Sequence, residues 1–271
     1  MKAQLTLVLC LLVGGAIAQQ NLPQEFRGKL YAYWGWNRSM YSPSDIRFSG
    51  QHYDFVLEDV VAKDRPSPFN ANTYFNPAYA SIPQYNFRIG YYFKENWDVS
   101  VGIDHMKYVV EQNQFAKITG SIAHTETRFD GHYMGDNIQL TPDFLRMEHT
   151  DGLNYLNVGL RRTSPILDRE FVQLSLLEGG GFGALVPRTD AELFSQERHN
   201  EFILSGYGGS ALLGLQAKFF NHFLLQTEAK GGYIHMPGIR TTPDPEDSAD
   251  QGFFFGQFNL VFGWILDLRK T

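Results

Sequence analysis

One pattern dominates this sequence. Apolar and polar residues alternate with a period of two in eight separate stretches, and amphipathic helical spacing does not recur. The stretches are 29–37, 86–93, 99–104, 155–161, 171–176, 211–219, 225–233 and 256–266. In one, Leu156, Val158 and Leu160 oppose Tyr155, Asn157, Gly159 and Arg161; in another, Phe258, Leu260, Phe262, Trp264 and Leu266 oppose Gln257, Asn259, Val261 and Gly263. Successive strand side chains point to opposite faces, so each stretch reads as a β-strand with one apolar face.

The connections carry a second regularity. Short turns are predicted at Lys94-Glu95-Asn96, from Thr163 to Asp168 and at Asn221-His222, and long polar connections over 43–80, 112–142, 187–202 and 237–250. Short and long alternate strictly, as in transmembrane barrels with short turns on one side and long loops on the other. The predicted fold class is all-β, an antiparallel up-and-down transmembrane β-barrel of eight strands. Ile46 to Val61 also reads as β, with a turn at Ser49-Gly50. A ninth wall strand would make the count odd, so this segment is placed as a hairpin within the first long loop. The alternative is ten strands, with another drawn from 113–127.

Composition narrows the class. Of 271 residues, 19% are charged, below the quarter or so usual for soluble domains, while Phe (22), Tyr (14) and Gly (26) are abundant. With 23 basic against 29 acidic residues, the chain is no nucleic-acid binder working through bulk positive charge. No apolar run is long enough for a membrane-spanning helix. Lys2, the apolar run Leu5 to Val13 and Ala16-Ile17-Ala18 read as a secretory signal peptide over residues 1–18, leaving 19–271 as one barrel domain. The single cysteine, Cys10, falls inside that leader. An exported chain without disulfides must be held by a core or by a membrane.

Period-two faces alone do not tell lipid outside from ligand inside, because a soluble lipocalin-like calyx that binds an apolar ligand alternates likewise. The polar faces favour lipid outside: they are rich in glycine and carry about one ion per strand, at Arg88, Asp104, Arg161, Lys218, Glu228 and Lys230. Side chains just fill an eight-stranded interior, and ions enclosed there must pair. These six are predicted to form a lumen ion network. Aromatic residues gather near the short turns, at Tyr91, Phe93 and Trp97 and at Phe219, Phe220 and Phe223, as in an interfacial girdle.

The leader, the eight alternating strands and glycine-punctuated runs such as Glu178-Gly179-Gly180-Gly181-Phe182-Gly183 resemble small outer-membrane β-barrel proteins, the OmpA membrane domain and the OmpW type in their Bacteroidota form. The last strand departs from that pattern, because Arg269-Lys270-Thr271 stand where such barrels often end on an aromatic residue read by the assembly machinery. The resemblance implies an outer-membrane location in a Gram-negative cell envelope. It implies lipid, lipopolysaccharide and the barrel assembly machinery as partners, with no nucleic acid and no cofactor. The role expected is structural or loop-mediated, with limited small-solute passage as a porin-like extension.

Two further clusters hold chemistry-bearing residues. Asp104-His105 and Glu148-His149-Thr150-Asp151 lie near strand ends, so His105, His149 and Asp151, with Ser100, Ser205 or Ser210, are the candidates for a lipid A-modifying acyl hydrolase or acyltransferase. His124, Glu126 and His132, with Asp130, are candidate metal ligands in the second long loop. No spacing in either cluster forces a site.

Overall fold

The computed structural model describes residues 26–196 and 200–270. The leader expected at 1–18 lies outside the described residues. The strands, in chain order, are β1 (Lys29–Tyr41), β2 (Ser44–Gly50), β3 (Tyr53–Val60) and β4 (Ala62–Lys63), then a short helix α1 (Ala71–Phe75). They continue with β5 (Tyr85–Lys94), β6 (Trp97–Val110), β7 (Phe115–Ile122), β8 (Gly131–Gln139) and β9 (Leu145–Asp168). The rest are β10 (Val172–Leu185), β11 (Asp190–Leu193), β12 (Gly206–Phe219), β13 (Phe223–Arg240) and β14 (Ser248–Asp267).

Eight of these close a ring in the order β1-β5-β6-β9-β10-β12-β13-β14, every neighbour antiparallel. β14 returns to β1 over thirteen paired positions, from Lys29↔Asp267 to Tyr41↔Phe255, and leaves no open edge in the wall. Each wall strand carries one of the eight alternating stretches, the fifth of which starts one residue before β10. The apolar faces point outward: Val101 and Leu215 are each 58% exposed, whereas Arg161 on an opposite face is 1% exposed. A soluble calyx would show the reverse, so that alternative is set aside.

The wall strands run far beyond their alternating cores. A membrane strand needs about 9–11 residues, yet β9 has 24, β13 has 18 and β14 has 20. The excess lies on the side of the long connections. There β2 joins the upper end of β14 through Ser248↔Ser49 to Gln251↔Ile46. The sheet then continues outward as β2-β3-β7-β8. The 46–61 segment is therefore a hairpin outside the ring, as the even strand count required, with its turn at Gln51-His52. The 113–127 segment supplies β7, which also stays out of the wall, so the ten-stranded alternative does not hold. Much of the long connections is itself β, and together they build a head above the barrel.

One predicted turn is corrected. Thr163 to Asp168 is not a connection but the lower end of β9, which turns only at 169–171. Pro165, inside this stretch, lacks the N–H that a ladder residue supplies. The strand accommodates it beside a bulge, where the partner register steps from Leu167 to Pro165 and leaves Ile166 out.

Candidate functional site: the filled lumen, its cap and the outer wall

The lumen is packed in tiers, each set by strand parity. Next to the short turns, Phe26, Tyr92, Leu224 and Ile265 form a small apolar floor, with the Lys218 ammonium 5.0 Å from the Phe26 ring centre. Gly90 makes room in this layer, because a Cβ there would collide with the Tyr31 ring.

Arg161 occupies the centre of the next tier. Its Nε donates to Asp98 Oδ1 at 3.2 Å and its Nη1 to Glu228 Oε1 at 3.3 Å and to Tyr33 Oη at 3.2 Å, while Nη2 donates to Tyr31 Oη. The guanidinium also faces the Tyr31 ring, 4.8 Å from its centre. Tyr31 and Tyr33 donate their hydroxyls to Asp98 and Glu228 at 2.6 and 3.0 Å. Asn259 completes Glu228 by donating to Oε2 at 2.8 Å.

A third tier pairs Lys230 Nζ with Asp104 Oδ2 at 2.7 Å. Asn157 donates to the same oxygen at 3.1 Å, and Arg88 donates to Ser100 Oγ at 3.0 Å and to Asn157 Oδ1. All six ions anticipated from the sequence lie here, each at most 4% exposed. Sequence reading missed Asp98 and Tyr31. Both follow from extending the parity of their own strands, Asp98 preceding Ser100 and Asp104, and Tyr31 preceding Tyr33.

Above the ions the interior turns apolar. Tyr41, Tyr108 and Phe253 pack together, with Tyr108–Phe253 ring centres 4.8 Å apart. The head core follows: Phe48 and Phe55 from the β2–β3 hairpin, Ile118 from β7, and Phe129, Phe144 and Phe194 from the connections. From floor to cap, buried side chains project into the interior at each level.

The enzyme candidates separate. His149 is fully buried inside the head, its Nδ1 2.9 Å from Thr189 Oγ1, and burial pushes its imidazole down to about 3. His105 lies on the opposite face of the wall, stacked on Tyr85 at 4.9 Å, with Nδ1 2.8 Å from Asn154 Oδ1. Asp151 is thrown outward by a bulge in β9, where two extra residues stand between Leu153 and His149 and Gly152 takes φ +133°. It pairs with Arg188 at 3.0 Å. Ser100 is bound by Arg88 in the lumen, Ser205 donates to the Ile203 carbonyl, and Ser210 lies opposite Gly181 and Gly232 in the wall. No nucleophile–base–acid array is assembled from these residues.

The metal candidates do not converge either. His124 stands edge-on to His52, His132 lies opposite Ser121, and Asp130 accepts from the Thr125 amide. Among the described residues, no group of three or more His, Cys, Asp or Glu could hold a metal ion.

A closed antiparallel ring satisfies all of its wall hydrogen bonds internally, and an exposed apolar band around it is stable only against lipid. The chain is a transmembrane β-barrel of the outer-membrane type. No family model and no curated protein matches it. Among solved structures it is similar to Ail, the attachment invasion locus protein of Yersinia pestis, at 13% identity and TM-score 0.33, covering 89% of this chain and all of that one. It is also similar to the outer membrane protein OprG from Pseudomonas aeruginosa, at 11% identity and TM-score 0.39 over 90% of this chain and 98% of that one. A third is the outer membrane protease OmpT from Escherichia coli, at 8% identity and TM-score 0.25, covering 88% of this chain and 95% of that one.

Proposed function

We propose that this barrel is a non-conducting outer-membrane anchor that holds a rigid β-structured head outside the cell, where the head makes the protein's contacts. One observation carries the reading: buried side chains occupy the interior at every level, two ionic tiers below and a largely apolar cap above. An open solute path needs a continuous polar column, and the cap supplies none. The head, in contrast, is built to be displayed. Its outermost strand, β8, is exposed along nearly its entire length, with Met134 at 88%. The resemblance to small outer-membrane barrels of the OmpA and OmpW type is consistent with this role.

Surface labelling tests the arrangement. A cysteine replacing Met134 is expected to react with a membrane-impermeant maleimide on intact cells, whereas one replacing Glu95 in a short turn reacts only after lysis. Labelling of Glu95→Cys on intact cells, with Met134→Cys protected, would invert the protein and remove the displayed head.

A further inference from the structure

Two hollows meet on the outer face of the wall formed by β5, β6 and β9. The lower lies in the apolar band, a trough of ≈ 380 Å³ between Phe87 and Ile89, Val101 and Ile103, and Leu156 and Val158. The upper, ≈ 450 Å³, shares Ile103 with the trough and then turns polar. His105 and Asn154, 7% and 8% exposed, line it with their mutual hydrogen bond. Lys107 and Arg188 also line it, and Ile82 and Phe202 add apolar surface that is 47% and 56% exposed.

The charges of the upper hollow do not balance. Arg188 is matched by Asp151 at 3.0 Å. Lys107 Nζ donates only to the Ile82 carbonyl at 3.0 Å and to Ser67 Oγ at 3.4 Å, and no carboxylate lies within ion-pair distance of it among the described residues. Asp151, Asp64 and Glu148 act on this ammonium from beyond ion-pair distance, and Arg65 acts on it in the opposite sense. His105 Nε2 likewise makes no protein hydrogen bond among the described residues. A half-buried cation without a direct ion pair is costly, and an anion seated in the hollow lowers that cost. A polar hollow lined by two cations and one carboxylate, opening directly onto an apolar trough at the edge of the membrane band, has the shape and the polarity of a lipid.

We propose that these joined hollows seat one phosphorylated lipid of the surrounding leaflet. Its phosphate lies against Lys107, Arg188 and His105, and one acyl chain lies in the trough. The proposal rests on the membrane reading above. Loss of that reading would show separately, as failure of the full chain to form a heat-modifiable barrel in detergent.

The test is native mass spectrometry of the folded chain in detergent micelles, with dimyristoyl phosphatidic acid, dimyristoyl phosphatidylcholine or inorganic phosphate added. The wild type is expected to retain phosphatidic acid preferentially. Lys107→Gln and Arg188→Gln should each lower that retention about tenfold, the loss of one charge-assisted hydrogen bond. Lys107→Arg should keep most of it, and Ile103→Trp, which fills the trough, should abolish it. Arg47→Gln, which breaks an exposed ion pair with Asp54 elsewhere on the head, should change nothing. Equal retention of the two lipids overturns the proposal, as does unchanged binding in Lys107→Gln. Inorganic phosphate displacing phosphatidic acid at equal concentration also overturns it, because the trough would then contribute nothing.

Discussion

At the scale of single residues, buried charge and hydrogen bonding set the energetics. Arg161 serves two carboxylates and two tyrosine hydroxyls at once, so Arg161→Ala leaves Asp98 and Glu228 enclosed without their shared cation. Removing one member of such a group costs about 3–5 kcal/mol. Urea unfolding from lipid vesicles, followed by tryptophan fluorescence, is expected to show a loss of that size. His149 gives a pH signature. Its folded value of about 3 lies below the roughly 6.5 of an unfolded histidine, so below pH ~6.5 the unfolded chain binds a proton that the native chain refuses. Stability from this residue is full above pH ~6.5 and falls progressively as the pH drops towards 3. Its Nε2 is buried with no hydrogen-bond partner among the described residues, so protonation would enclose both a charge and an unmatched N–H. In His149→Gln the acid-side slope between those values should flatten relative to wild type; an unchanged slope would place the titrating group elsewhere.

At the scale of strands, the meaning of exposure depends on the solvent. Val101 and Val61 are 58% and 42% exposed, but Val101 faces lipid on β6 while Val61 lies beyond β3 in the head. Val101→Arg should destabilise the barrel by about 2–4 kcal/mol, as for a charge at the bilayer midplane. Val61→Arg should be near neutral in the same unfolding assay. This contrast between lipid and lumen is also what made the eight wall strands legible, since each keeps a nearly unbroken apolar face opposite a largely polar one. Strands without that contrast were harder to read. β8 is exposed on both faces, so His132, Met134 and Asp136 carry no burial signal. The lower end of β9 was hidden by Pro165, and the position of Asp151 by a bulge that periodicity does not record. The lumen ions could be read from parity alone, whereas the outer hollow could not. It is assembled from Lys107, Arg188 and Phe202, which belong to three separate segments.

At the scale of the molecule, two different materials close one tube. The lower interior is sealed by ions that satisfy one another, through Arg161 with Asp98 and Glu228 and through Lys230 with Asp104. The upper interior is sealed by the head core, in which the Phe129 and Phe144 ring centres lie 4.9 Å apart. Because the seals are in series, losing one should not open the tube. The wild-type chain is expected to give no steady channel in planar bilayers. Replacing 45–60, the β2–β3 hairpin, with a short glycine-serine linker should strip Phe48 and Phe55 from the cap and still leave the membrane silent, since the ionic tiers remain packed inside an eight-stranded wall whose interior side chains just fill. Conductance should rise only when the same deletion is combined with substitutions that empty both ionic tiers, Arg161→Ala and Tyr33→Ala in one and Arg88→Ala and Lys230→Ala in the other. A large steady current from the hairpin deletion alone would mean that the ionic tiers do not block the lumen, and the proposed anchor would then be a capped channel.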